Sequence, residues 1–187
     1  MLTCRKMRFL LVTLFCALAL SAAEPGQRAP GFALIDSKGV LHDLYDYHGK
    51  PVIIEFMQTT CPHCAAFAST LEKVQGKYGD RVAIVAIANP PDSPNSVNAF
   101  IRGHFISYPV LFDMGQAAYS YVRKQTFDLP QVYLVDANGI IFNSYTYSAL
   151  TKDIFEGNGL INEIDRMLGA SAAAPKATVK TAPAKKK

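Results

Sequence analysis

Two cysteines separated by two residues are the most reactive feature of the sequence, Cys61-Pro62-His63-Cys64. A buried strand is predicted at 52–57, and Pro62 suits the first turn of a helix because its nitrogen has no hydrogen to leave unpaired. The unpaired N–H groups and partial positive charge of a helix N-terminus favour a thiolate. The spacing therefore predicts that Cys61 is the nucleophile of thiol–disulfide exchange and that Cys64 resolves the mixed disulfide.

A structural zinc site is the alternative, because such sites also use cysteines two residues apart. A complete site needs four ligands, and the other two cysteines of the chain lie in an N-terminal segment that we expect to be removed. The chain then keeps one cysteine pair, and its remaining histidines, His42, His48 and His104, show no ligand spacing. The sequence therefore favours redox chemistry and predicts neither a metal site nor a cofactor.

Strand and helix signals alternate along the middle of the chain. Short β-patterns flank a turn at Gly39, a nearly continuous apolar run at 52–57 is interrupted only by Glu55, and an apolar stripe follows Pro62. The remaining elements are predicted as strands at 82–88, 131–135 and 140–142 and as helices at 96–102, 117–124 and 160–168. This order predicts an α/β fold with a mixed central β-sheet, helices on both faces and an N-terminal β-hairpin.

The N-terminal segment has the layout of a secretory signal peptide, which we expect at 1–23. Positive charges at 5–8 precede an apolar run at 9–20, and the small residues of 21–23 suit signal peptidase. The alternative is an uncleaved membrane anchor, although the run is short for a spanning helix. Either way the protein is expected to be exported, to a periplasmic or other extracytoplasmic location.

Charge is distributed unevenly along the chain. The formal net charge of +4 comes from three basic residues in the signal and five lysines in the tail at 170–187, which leaves the domain at 24–169 with a net charge of about −4. A nucleic-acid-binding face is therefore not expected. The tail is rich in Ala, Pro and Lys, so we expect it to be disordered. Its charge could hold the protein weakly at an anionic membrane surface, and a solvated tail without a partner is equally open.

Several stretches resemble the redoxin and TlpA/ResA-like branch of the thioredoxin superfamily. The resemblance covers about 26–168 and is carried by 26–36, 49–56, 60–64, 108–113 and 129–139. It implies a three-layer thioredoxin-like fold and exchange with protein thiols and disulfides, with a further redox partner that recycles the cysteine pair. It also implies a cis-proline facing the cysteines, and Pro130 matches that proline by its order along the chain. A trans, purely structural Pro130 is the alternative.

The resemblance also bears on the expected roles of three further residues. Glu55 takes the position of a buried acid beneath the disulfide, where burial raises a carboxyl pKa and permits proton exchange with Cys64; a Glu reaching solvent is the alternative. The dipeptide before Cys64 resembles that of strongly oxidising dithiol oxidases, so His63 is expected to stabilise the reduced pair, unless it is only a solvated helix residue. Leu129 departs from the Thr or Val common before the cis-proline, which leaves the direction of electron flow open.

Two other functions are compatible with this fold. Thiol peroxidases resemble Pro-x-x-x-Thr-x-x-Cys at the reactive cysteine, whereas Gln58 stands three residues before Cys61. Copper-delivery modules of the Sco-like type use a wider Cys-x-x-x-Cys with a distant His. Both patterns fit this sequence less well than thiol–disulfide exchange.

Overall fold

The computed structural model describes residues 22–124 and 126–173 of the chain. The strands are β1 (Ala33–Ile35), β2 (Leu41–Asp43), β3 (Val52–Met57), β4 (Ala83–Ala88), β5 (Val110–Phe112), β6 (Gln131–Val135) and β7 (Ile141–Thr146). The helices are α1 (Pro62–Tyr78), α2 (Pro94–His104), α3 (Gln116–Val122), α4 (Lys152–Glu156) and α5 (Gly159–Ala173), with 3-10 turns at Leu44–Tyr47 and Gly79–Arg81.

Strand β3 lies at the centre of a five-stranded sheet with the order β5-β4-β3-β6-β7. It is parallel to β4 and antiparallel to β6, so that Ile53 lies opposite Ile84 on one side and Leu134 on the other. All residues of β3 are buried, which explains why its sequence is almost continuously apolar rather than alternating. β1 and β2 form a separate antiparallel hairpin. The predicted mixed sheet and N-terminal hairpin are therefore confirmed.

Helices cover both faces of the sheet, as expected for a three-layer thioredoxin-like fold. On one face, α1 and α5 bury side chains such as Phe67 and Ile164 against Ile53 of β3. On the other face, α3 and the N-terminal segment bury Tyr121 and Phe32 against the alternate residues of β3. Because successive strand residues point to opposite faces, β3 alone contributes to both cores.

The sequence patterns did not predict α4. This helix has a single turn, too short to show a hydrophobic period, and it is held by tertiary contacts. Phe155 is fully buried and packs edge-on against Phe67 at 4.8 Å between ring centroids. The buried hydroxyl of Thr70 on α1 donates a hydrogen bond to the carbonyl of Phe155 at 2.8 Å. α4 therefore fixes the loop after β7 against the helix that begins at Cys61.

Two elements extend beyond the ranges that the sequence predicts. β7 runs to Thr146 rather than ending at 142. The sequence does not indicate this extension, because the additional residues are only half-buried at a sheet edge and form no apolar pattern. α5 continues to Ala173, four residues past the expected domain boundary at 169. The remainder of the expected tail, 174–187, lies outside the described residues.

The segment expected to be the signal peptide lies almost entirely outside the described residues, which begin at Ala22. Ala23 is buried in the core that faces α3, and its backbone N–H donates to the carbonyl of Tyr121 at 2.8 Å. Cleavage after Ala23 would remove this contact. No helix in the described part of the chain is long and apolar enough to cross a membrane.

Candidate active site

Cys61 lies where the chain turns from the end of β3 into α1. It is the N-cap of α1 with an extended backbone (φ −83°, ψ 115°), and its Sγ accepts a hydrogen bond from the backbone N–H of Cys64 at 3.3 Å. The sulfur thus occupies the place that a Ser or Asp oxygen takes at most helix starts. Because the helix N-terminus favours negative charge, this geometry places the Cys61 sulfur where a negative charge that develops on it during exchange would be stabilised. Pro62 follows as the first helical residue.

The two cysteines differ in accessibility. Both are free thiols; Cys61 is partly exposed, whereas Cys64 is only 1 % exposed. Burial, and then the negative charge that Glu55 can carry, raises the pKa of the Cys64 thiol. The Cys61 sulfur is therefore the more accessible of the two to an approaching molecule.

Glu55 lies in the centre of β3, opposite Ala86 of β4 and Val132 of β6. Its side chain is 1 % exposed, and its Oε1 has no hydrogen-bond partner among the described residues. Burial raises the pKa of this carboxyl group to about 8. Since such a group can both hold and release a proton near neutral pH, Glu55 is suited to exchange a proton with Cys64.

Pro130 lies across from the cysteine pair, at the start of β6. The peptide bond between Leu129 and Pro130 is cis. The Cys61 thiol donates to the carbonyl oxygen of Leu129, with 3.7 Å between sulfur and oxygen. The backbone before the cis-proline therefore lies against the Cys61 sulfur.

The segment before Cys61 is held by the loop that follows β4, a contact that no local pattern predicts. The Asp92 carboxylate accepts hydrogen bonds from the backbone N–H of Thr59, at 2.8 Å, and from its hydroxyl. The buried side-chain amide of Asn89 donates to the carbonyl of Met57 at 3.2 Å. These partners are more than 30 residues apart in sequence. The sequence of the loop therefore does not indicate that it contacts the segment before Cys61.

His63 lies at the exposed rim of the site, in the first turn of α1. Its imidazole stacks on the ring of Tyr147, with 3.9 Å between centroids and 20° between planes. In the described part of the chain it makes no side-chain hydrogen bond with Cys61. The structure therefore brings together four of the predicted site residues, Cys61, Cys64, Glu55 and Pro130. It places His63 beside them, against Tyr147, a residue that the sequence analysis does not identify.

Tyr108 is a second buried polar residue on the α1 side of the sheet. It is 6 % exposed, and its hydroxyl has no hydrogen-bond partner among the described residues. Burial, and then negative charge at Glu55, raises the pKa of this hydroxyl. Tyr108 precedes β5, and Ala86 of the intervening strand β4 lies opposite Glu55 of β3 on one side and Val110 of β5 on the other. A tyrosine before a proline resembles an ordinary core aromatic, so the sequence carried no signal for it.

The geometry also bears on the two alternative functions. Gln58, which stands where a peroxidase pattern requires Thr, donates a side-chain hydrogen bond to the carbonyl of Pro90. Residues 22–124 and 126–173 contain no group of three His, Cys, Asp or Glu side chains arranged to hold a metal ion.

The sequence profile of the AhpC/TSA family matches residues 25–144, which is more than half of the chain. The chain belongs to the AhpC/TSA family. It is 29% identical over 133 residues to the thioredoxin-like protein YneN of Bacillus subtilis, covering 70% of this chain and 76% of that protein. It is 30% identical over 138 residues to the thiol-disulfide oxidoreductase ResA of Halalkalibacterium halodurans, covering 73% and 76%.

A solved structure has a similar fold. The Chlorobium tepidum crystal structure described as a thiol:disulfide interchange protein DsbE has a TM-score of 0.68 and 25% identity, covering 80% of this chain and 100% of that one. Together with the relatives and the fold, this match identifies this AhpC/TSA-family protein as a thiol–disulfide oxidoreductase of the thioredoxin superfamily.

Replacing Glu55 with Gln is expected to change how stability depends on pH. A Glu in the unfolded chain titrates near 4.5, whereas folded Glu55 titrates near 8, so the folded protein holds this proton through that window. Its stabilising contribution is full below about pH 4.5 and is lost as pH rises to about 8, with a slope of at most about 1.4 kcal/mol per pH unit. Because Gln does not titrate, the Glu55→Gln protein should gain stability relative to the wild type across this window.

Urea unfolding of the reduced proteins at several pH values between 5 and 8 measures this difference. Glu24→Gln is the matched control, because Glu24 is exposed and its replacement should leave the pH dependence almost unchanged. Parallel stability curves for the wild type and Glu55→Gln would show that Glu55 reaches solvent.

Tyr108→Phe is expected to leave stability unchanged or to raise it by up to about 1 kcal/mol, because it removes a buried hydroxyl that has no hydrogen-bond partner among residues 22–124 and 126–173. Tyr121→Phe is the matched comparison on the opposite face of the sheet. The Tyr121 hydroxyl donates to the carbonyl of Pro30 at 2.7 Å, so this change should cost about 1 kcal/mol or more. Equal losses in thermal or urea unfolding would show that the Tyr108 hydroxyl is hydrogen-bonded in solution.

Proposed function

We propose that this protein exchanges disulfides with protein substrates outside the cytoplasm, with Cys61 as the attacking cysteine and Cys64 as the resolving cysteine. The observation that carries the proposal is the Cys61 sulfur at the N-cap of α1, partly exposed and accepting the N–H of Cys64. Cys64, in the first turn of α1, supplies the second half of the reaction; burial, and then the negative charge of Glu55, raises the pKa of its thiol.

In the oxidising direction, a substrate thiolate attacks Sγ of Cys61 in the Cys61–Cys64 disulfide. The bond between the two enzyme sulfurs breaks, the new bond joins the substrate sulfur to Cys61, and Cys64 leaves as a thiolate that takes a proton from the Glu55 carboxyl group. A second substrate thiolate then attacks the substrate sulfur of the mixed disulfide, and Cys61 leaves as a thiolate favoured by the helix start. The substrate is oxidised by two electrons and the pair is reduced; the reverse sequence reduces a substrate disulfide.

A groove beside Cys61 favours a polypeptide as substrate. Its volume is about 610 Å³, and its lining includes Gln58 and Leu129; the Leu129 carbonyl oxygen lies 3.7 Å from the Cys61 sulfur. Its walls include the apolar side chains of Met114, Tyr119 and Phe127. An extended segment with an apolar residue near its cysteine could lie there while its sulfur reaches Cys61. A separate redox partner would then return the pair to its starting state.

For the direction of exchange, we propose that the pair is more oxidising than that of thioredoxin. The support is His63 in the first turn of α1, where an imidazole can stabilise the reduced pair and so make the disulfide the stronger oxidant. Glu55 and the cis-proline Pro130 act in either direction, since each serves the exchange step itself.

For location, we propose export through the segment 1–23, with 24–169 as the catalytic domain. The support is the positive charges at 5–8, the apolar run at 9–20 and the small residues that follow. A single cysteine pair in the exported chain also fits a reactive rather than a structural disulfide. The basic tail at 170–187 would add only weak attraction to anionic lipid.

Cys64→Ser is expected to trap a mixed disulfide between Cys61 and a substrate. Without the resolving thiol, the intermediate formed on Cys61 persists. The protein is incubated with insulin as the disulfide substrate, quenched with acid and examined by non-reducing electrophoresis and mass spectrometry. Cys61→Ser is the matched control, and it should form little adduct because Cys64 is buried.

A stronger adduct on Cys64 than on Cys61 would contradict the assignment of roles. Consumption of a hydroperoxide by the wild type, faster than its reduction of insulin in the presence of dithiothreitol, would instead favour the peroxidase function.

The full chain produced in a bacterial host is expected in the envelope fraction. Its intact mass should lack a segment ending near residue 23, and deletion of 9–20 should retain the protein in the cytoplasm. An envelope protein of full mass would indicate an uncleaved anchor in place of a signal peptide. Full-length protein in the cytoplasmic fraction would contradict export.

A further inference from the structure

Tyr147 contacts two parts of the active site, the first turn of α1 and the cis-proline loop. Its ring stacks on the imidazole of His63, at 3.9 Å between centroids, and so touches the first turn of α1. Its backbone N–H donates to the carbonyl of Pro130 at 3.1 Å, and so holds the backbone of the cis-proline. Tyr147 directly follows β7, the strand that pairs with β6 beyond Pro130. One residue therefore joins the helix start to the cis-proline loop.

The ring of Tyr147 is itself held in place. Its hydroxyl donates to Oε1 of Glu156 at 2.8 Å, and Glu156 also forms an ion pair with Lys152 at 3.4 Å. The edge of the ring packs against the buried Phe155, with 5.5 Å between centroids. These contacts come from α4, which is fixed to α1 through Phe155. The surface on which His63 stacks is therefore rigid compared with an exposed side chain.

We propose that Tyr147 is the positioning residue of His63 and thereby sets the redox balance of the cysteine pair. An unrestrained histidine on a helix surface samples several rotamers. Such sampling would average the electrostatic effect of the His63 imidazole on the sulfur of Cys61, two residues earlier. Stacking on Tyr147 restricts the imidazole to one orientation beside the N-terminus of α1. The inference rests on the proposed function of Cys61 and His63, and it adds that Tyr147 makes the effect of His63 possible.

A double-mutant cycle on the dithiol–disulfide equilibrium tests the inference. The equilibrium constant with glutathione is measured for the wild type, His63→Gln, Tyr147→Leu and the double variant. His63→Gln should make the pair more reducing by about tenfold, which is about 30 mV for a two-electron couple. Tyr147→Leu should shift it in the same direction by about threefold or more. The double variant should match His63→Gln alone, because Tyr147 acts only through His63.

Two further variants separate the ring from other effects. Tyr147→Phe keeps the stacking surface and loses only the hydrogen bond to Glu156, so it should restore most of the wild-type equilibrium. Tyr45→Leu is the matched control, because Tyr45 also packs on a histidine, His48, at 5.8 Å between centroids. That pair lies at the opposite end of the sheet, near the start of β3, and its loss should not change the equilibrium. Melting curves establish that each variant is folded.

The outcomes are distinct. Additive shifts in the double variant, or an unchanged equilibrium in Tyr147→Leu, would overturn the inference. So would an unchanged equilibrium in His63→Gln, although the proposed function would stand as long as Cys61 and Cys64 still exchange disulfides. A wild-type protein that forms no disulfide between Cys61 and Cys64 in any glutathione buffer would overturn the proposed function itself.

Discussion

The interaction between the Cys61 sulfur and the start of α1 is the constraint on which the site depends. The sulfur accepts a backbone N–H at 3.3 Å only because Cys61 is the N-cap, with an extended backbone that precedes the first helical turn. That position requires β3 to end just before it and α1 to pack firmly on the sheet. A helix of 17 residues, buried along one face, holds its own first turn still. The reactivity of one exposed atom thus derives from the packing of the whole α1 side of the core.

The centre of the sheet serves both folding and chemistry. β3 is buried on both faces, which places Glu55 in an apolar environment. The same burial makes Cys64 a weaker acid than an exposed thiol. Two cysteines only three positions apart therefore differ in burial, and this difference suits the roles proposed for them, the outer one to meet the partner and the inner one to resolve the mixed disulfide. Burial, rather than residue type, distinguishes them.

Local patterns predicted the parts of the site that are local. A buried strand followed by Cys-Pro-His-Cys defines a helix start, and the position of Glu55 within an apolar run predicts its burial, so both follow from short sequence stretches. Asp92 and Tyr147 could not be found this way, because their partners lie 33 and more residues away in sequence. α4 was missed for the same reason, since one turn of helix has no period and its order comes from Phe155 in the core. Long-range contacts hold in place the groups that local patterns identify.

Glu55 and Tyr108 each place in the core on the α1 side a buried oxygen that has no hydrogen-bond partner among the described residues, and the cost of these oxygens bears on function. An apolar residue at either position would fill the same space without desolvating an oxygen. The carboxyl group of Glu55 escapes most of that penalty by staying protonated until about pH 8, and the hydroxyl of Tyr108 lies within range of its charge. Folding alone does not account for this pair, since Tyr121, on the opposite face, has a hydrogen-bonded hydroxyl. Among the described residues, the oxygens of Glu55 and Tyr108 that lack a hydrogen-bond partner lie on the face that carries Cys64, where the proposed exchange requires a proton to move.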